Sequence, residues 1–170
     1  MPYDSLRPAA PSSRIKHGRL QIEFDSYLPF GLTAISNKIA RSASRTYLRR
    51  FGVGINEWRV ISHLRVWPAS TAHLICQRSG LDKAAVSRSV KLLEDAGMVE
   101  TDTAGGDTRG RSLRLTEKGD ELHDKLIVVA LQREARFLTG FNEYERGLLL
   151  SFINRLNANV PLVQNEDGAD

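Results

Sequence analysis

Apolar positions along the chain recur mostly at helical spacing, in six stretches separated by glycine, proline and capping residues. From about Pro29 to Arg50, Leu32, Ile35, Ile39, Ala43 and Tyr47 mark one face of a first helix, which Gly52 and Gly54 end. Asn56 is placed to cap a second helix carrying Trp58, Ile61 and Leu64, which Pro68 closes. Ser70 is placed to cap a third, Thr71 to Arg78, stopped by Gly80, and Asp82 a fourth, running to Ala96 and Gly97. Two short segments, Met98 to Asp102 and Arg111 to Leu115, read as strands joined by a polar, glycine-bearing loop over 103–110. Thr116 is placed to cap a long fifth helix reaching about Leu138. Asn142 with Glu145 three residues on makes a capping-box-like start for a sixth helix, to about Asn159.

The predicted fold class is mainly α with a small β wing. It divides into an N-terminal arm (1–28), a first dimerisation helix (29–52), a winged helix-turn-helix lobe (53–116), C-terminal dimerisation helices (117–160) and a polar tail (161–170). The fourth helix carries the chemistry. Val86, Val90 and Leu93 fall on one stripe, and Ala84, Ser87, Arg88 and Lys91 on the opposite face. Small residues for close approach, a hydroxyl and long cations are what a helix in the major groove requires. Lys83 in the first turn, and Ser70 and Thr71 at the start of the third helix, are the expected backbone neighbours. Taken alone, this helix also fits an ordinary amphipathic helix with a solvated basic face. The loop shifts that balance. Arg109 lies near its tip, Arg111 and Arg114 follow on the returning strand, and Asp107 is spaced to pair with Arg109. An arginine on a projecting loop suits the narrow minor groove, where negative potential concentrates.

Charge supports the same orientation. The net charge is only +4, but residues 1–50 hold nine basic against three acidic residues, 51–116 nine against seven, and 117–170 six against ten. A basic front and an acidic rear orient a molecule towards a polyanion. Composition bounds the rest: 170 residues with 41% apolar content suffice for a core, and a single cysteine, Cys76, suits a reducing cytoplasm. The longest apolar run, Leu126 to Leu131, is far short of the ~20 residues that span a bilayer, and the N-terminus lacks the order of a signal peptide.

The run Asp107-Thr108-Arg109-Gly110-Arg111, followed by Leu115-Thr116-Glu117-Lys118-Gly119, resembles the wing and helix start of the MarR family. Val86-Ser87-Arg88, Leu92-Leu93-Glu94 and Ala96-Gly97-Met98-Val99 resemble its recognition helix and exit strand. The resemblance covers about Leu32 to Leu156. It implies a homodimeric repressor on a pseudo-palindromic double-stranded operator, with DNA contacts around Ser87 and Arg88, and Arg109 in the minor groove held by Asp107. It also implies release by a small effector such as an aromatic acid. The chain departs from the family by carrying Ala84 and Ala85 where proline or serine is frequent, which leaves the base sequence open. Gly119 inside a helix costs roughly 1 kcal/mol against alanine, so close packing or a bend is expected there.

Leu126 to Leu131, and Leu148, Leu149, Leu150, Phe152, Ile153 and Leu156, exceed what one core-facing stripe absorbs, which favours a homodimer. Arg45, Trp58, His63 and Trp67 are the candidate ligand-pocket residues, although Trp58 and Tyr47 also sit at core spacing and Arg45 fits a solvated position equally. His73 and Cys76 lie three apart but bring only two metal ligands, so no metal or other cofactor is expected, and Cys76 reads as structural with an oxidation switch as the alternative. An activator, an interaction module that has lost specific DNA binding, and an enzyme are the competing readings. No catalytic constellation stands out for the last.

Overall fold

The computed structural model describes residues 10–102 and 111–164, and the chain divides after Leu126 into two compact units. The first unit opens with a two-stranded antiparallel hairpin, β1 (Ser13–Lys16) and β2 (Arg19–Ile22), with Ile15 opposite Leu20. The sequence reading expects an arm without elements over 1–28. The pairing arises because His17 and Gly18 both take positive φ (53° and 71°), the geometry of a tight two-residue hairpin turn, which His-Gly signals less plainly than Asn-Gly. A tilted Phe24–Phe30 contact, with ring centroids 4.8 Å apart, ties the segment after the hairpin to the next helix.

Helix α1 (Leu28–Phe51) buries Ala43 and Tyr47 near its C-terminal end, while Leu32, Ile35 and Ile39 stay exposed. Helix α2 (Ile55–Val66) is capped two residues before the expected Asn56. Gly54 is the N-cap, and its N–H donates to Glu57 Oε2 at 2.8 Å, one half of a capping box. Strand β3 (Ser70–Thr71) precedes α3 (Ala72–Ser79), whose cap is Thr71, not Ser70: Thr71 Oγ1 accepts from Leu74 N–H. Gly80 turns the chain at φ 68°, where a side chain would be strained, and Asp82 caps α4 (Lys83–Asp95) by accepting from Ala85 N–H at 2.7 Å.

Strands β4 (Val99–Asp102) and β5 (Ser112–Leu115) complete a three-stranded sheet of order β3-β5-β4, antiparallel throughout, with Val99 opposite Leu115 and Ser70 opposite Leu113. The core of this lobe joins Val60, Ile61 and Leu64 of α2, Ile75 of α3, Val86 and Leu93 of α4 and Leu113 of β5. Apolar residues from α2, α3, α4 and the sheet meet there, which holds α3 and α4 at one angle.

Helix α5 (Glu117–Phe137) starts where expected, and Gly119 explains itself by packing. A Cβ at that position would stand 2.1 Å from the Met98 carbonyl oxygen, so only glycine lets the helix approach the α4–β4 corner. Thr116 N–H donates to the same carbonyl, and Lys118 Nζ donates to the Ala96 carbonyl at 2.7 Å. In the second unit, Asn142 and Glu145 form the full reciprocal capping box of α6 (Glu143–Gln164), at 2.8 and 2.9 Å. This helix passes the expected end at Asn159 and includes Pro161, whose fixed φ is compatible with a helix at the loss of one N–H donor.

Candidate nucleic-acid interface

Two faces of α4 are sharply distinguished. Ala85, Val86, Ser89, Val90 and Leu93 point into the lobe, whereas Lys83, Ala84, Ser87, Arg88 and Lys91 are exposed. Sequence periodicity and structure therefore agree on which side of the helix faces outward. Lys91 Nζ lies 3.2 Å from Asp95 one turn on, an exposed pair of the kind that contributes only a few tenths of a kcal/mol and is readily exchanged for a phosphate.

The first helix of the pair presents a different arrangement from the sequence expectation. Ser70, 4% exposed, turns inward: its hydroxyl donates to the Trp67 carbonyl at 2.7 Å and lies 3.0 Å from His63 Nε2. Thr71 remains half-buried with its hydroxyl oxygen on Leu74 N–H. What either can offer to a phosphate is then chiefly the exposed start of α3, where backbone N–H groups lack helical partners.

The β4–β5 hairpin is braced at its base. Arg114 Nε donates to Glu100 Oε1 at 2.8 Å across the directly paired positions, and Thr116 Oγ1 donates to the Gly97 carbonyl at 2.8 Å. Arg111 is exposed at the edge of the described strand. Asp107 and Arg109, the expected wing anchor, lie outside the described residues.

The candidate ligand residues separate into distinct surroundings. Trp58 meets Tyr47 edge to face at 6.1 Å and stacks on His123 at 5.6 Å. His63 and Trp67 pack together at 5.0 Å, and the Arg78 guanidinium lies 4.1 Å over the Trp67 ring. Burial, with Arg78 adding a like charge, holds the His63 pKa below its ordinary value of 6.5, so the ring is neutral near pH 7. Arg45 is exposed on α1 and lines an open groove of about 680 Å³ with Ser42, Thr46, Leu48 and Arg49; Trp58, His63 and Trp67 are not among its lining residues. Arg45 and Arg49 make the lining of that groove basic, and the Thr46 hydroxyl donates to the Ser42 carbonyl at 3.1 Å. Cys76 is half-buried on α3.

One polar contact behind α4 escapes the sequence reading. Glu57 and Ser89 are hydrogen-bonded to each other at 2.6 Å between α2 and α4. The signal was a hydroxyl on an otherwise apolar stripe, and a glutamate three residues after a glycine.

Comparison with known proteins agrees with this architecture. Residues 51–110 match the model of the MarR family, the stretch that contains α2, α3, α4 and β4. A MarR/EmrR family transcriptional regulator from Acinetobacter sp. ADP1 is 34% identical, over 83% of this chain and 99% of that one, with a TM-score of 0.78. Two more distant structures share the fold. One is a MarR family regulator from Listeria monocytogenes complexed with 26mer DNA (16% identity, 82% and 93% coverage, TM-score 0.74). The other is the PcaV regulator of Streptomyces coelicolor in complex with its natural ligand (19% identity, 81% and 96% coverage, TM-score 0.67). With a helix-turn-helix, a braced wing hairpin and this degree of identity across most of its length, the chain belongs to the MarR family of winged helix-turn-helix transcriptional regulators.

Proposed function

We propose that this regulator is a cytoplasmic homodimeric repressor that binds a pseudo-palindromic double-stranded operator and is released by a small effector, an aromatic acid being the chemistry that best suits the residues at hand. The observation that carries the DNA reading is the exposed Ala84–Ser87–Arg88–Lys91 face of α4, directly opposite the stripe that anchors the helix in the core. Seated in the major groove, Ser87 and Arg88 reach base edges while Lys83 and Lys91 meet phosphates. Arg109, braced by Asp107, enters the adjoining minor groove. The relative complexed with 26mer DNA supports the first part of this reading, and PcaV bound to its natural ligand supports the second. The dimer is supported by the apolar residues left uncovered on α1 and α6, and it sets two recognition helices roughly 34–36 Å apart, one turn of duplex. Arg45 and Arg49 in the α1 groove suit a carboxylate. Among the described residues no helix is long and apolar enough to cross a membrane.

Fluorescence anisotropy on the duplex upstream of its own gene tests this. Specific binding should exceed binding to random duplex by about 10³-fold or more. Arg88→Ala should cost about 1–3 kcal/mol and relax preference at one base position, whereas a phosphate contact would lower affinity uniformly and flatten the salt dependence. Arg109→Ala should weaken binding with stability unchanged. Affinity no greater than for random duplex would remove the regulator reading in favour of an interaction module.

A further inference from the structure

The side chains on the outer face of α4 reach the same base edges only if the helix is rolled to one angle about its own axis. Apolar packing sets that angle loosely, because burial of Val86, Val90 and Leu93 is not directional. A roll of about 20° on a helix roughly 5–6 Å in radius carries a side-chain tip about 2 Å. A hydrogen bond to a base edge tolerates a few tenths of an ångström.

One directional contact interrupts the apolar stripe. Ser89 is 2% exposed, and its Oγ donates to Glu57 Oε1 at 2.6 Å. The second carboxylate oxygen, Oε2, accepts from Gly54 N–H at 2.8 Å. Both oxygens are therefore engaged, and the charge sits in the first turn of α2, where the helix dipole favours it. A Cβ at position 54 would stand 2.7 Å from Oε2, so a larger residue there would shift the carboxylate. The helix carrying Glu57 is itself immobilised through Val60, Ile61 and Leu64, each no more than 1% exposed. Glu57 is thus fixed to the scaffold at one oxygen and to the recognition helix at the other.

Stability alone does not account for such an arrangement. Glu57 already contributes to stability by accepting from Gly54 N–H, and that cap does not need a hydroxyl at 89. What the polar pair adds is direction. We infer that Glu57 is a positioning residue for base reading: through its bond to Ser89 it fixes the roll of α4, and with it the aim of Ser87 and Arg88. The inference rests on the DNA-binding reading above.

The test begins with selection of preferred sites from a random-sequence duplex pool by the wild-type chain. The quantity read is the ratio of affinity for the selected duplex to affinity for random duplex. Ser89→Ala should lower that ratio about tenfold or more, leave random-duplex affinity within about twofold, since that term is phosphate-borne, and lower Tm by about 3–10 °C, since one carboxylate oxygen loses its donor. Glu57→Ala should lower the ratio likewise, with an added loss of Tm from the vacated cap. Glu57→Gln should restore most of the ratio, because its amide keeps an acceptor for Gly54 N–H and a donor for the Ser89 oxygen. Hydrogen exchange measured without DNA should accelerate in peptides over 83–95 in Ser89→Ala and stay unchanged over 112–115.

A Ser89→Ala chain with the wild-type ratio overturns the inference, as does an equal loss on selected and random duplex. A wild-type chain that enriches no sequence removes the regulator reading instead. Exchange in α4 then decides the clamp by itself, faster exchange supporting it and unchanged exchange overturning it.

Discussion

Helices α4 and α6 are both rich in apolar residues, yet they meet opposite fates within one chain. The 13 residues of α4 include five that are buried, four of them apolar, whereas none of the 22 residues of α6 is buried. Leu150, Phe152, Ile153 and Leu156 all remain exposed. In α4 the apolar positions other than Leu92 keep to one stripe, and α2, α3 and β4 supply matching surface, so the opposite face is free for polar chemistry. In α6 they run round the helix at 148–150 and 152–153, so no single neighbour covers them. An internally satisfied helix presents function outward; an unsatisfied one calls for a partner.

The strongest way to break this comparison is to empty the core behind α4. Leu93→Ala should cost about 3–4 kcal/mol, since Leu93 is only 1% exposed and its removal leaves a cavity in the core of the lobe. Urea denaturation measures it; a loss under 1 kcal/mol would mean that the lobe is loosely packed. The converse experiment charges the exposed side of α6. Phe152→Asp with Ile153→Asp should leave the urea midpoint of the lobe unchanged yet weaken self-association about 100-fold, near 2.7 kcal/mol, as read by sedimentation velocity. An unaltered oligomeric state would place the dimer contact elsewhere.

Gly119→Ala sharpens the contrast from a third side. Alanine gains about 1 kcal/mol in helix propensity, but its Cβ would lie 2.1 Å from the Met98 carbonyl oxygen, and forcing α5 off that corner costs about 3 kcal/mol. The net expected loss is about 2 kcal/mol by thermal unfolding, and a gain in Tm would contradict the packing account.

The smallest effect is electrostatic. Burial, then Arg78, lowers the folded-state pKa of His63 below 6.5, so the unfolded chain takes up its proton first as pH falls. The stability that this group contributes is complete above pH 6.5 and is lost on acidification below it. The Tm should fall between pH 7.5 and 5.5, and His63→Gln should flatten that slope. A slope unchanged by the substitution would assign it to other groups.

Much of this was legible in the linear chain. The capping residues Asp82, Thr116 and Asn142, the stops at Gly80 and Gly97, and the two-faced pattern of α4 are local signals, and each acts within a turn of itself. The outward set Ala84, Ser87, Arg88 and Lys91 followed from period alone. Errors arose where a local preference met a tertiary competitor. Ser70 has the composition of a cap, but its hydroxyl is drawn inward by His63 and the Trp67 carbonyl, which leaves the cap to Thr71. The hairpin at Ser13–Ile22 depends on His17 accepting a positive φ, which strand alternation over four residues does not announce.

By itself, then, the sequence determined the order of helices, the family and the face of α4 that meets solvent, because periodicity and capping are properties of neighbouring residues. Tertiary structure alone decided that Gly119 must be glycine, that Ser70 turns inward, and that Glu57 holds Ser89 across 32 positions of chain. Those outcomes depend on which distant backbone and side-chain atoms arrive within 3 Å, and no local pattern encodes that distance.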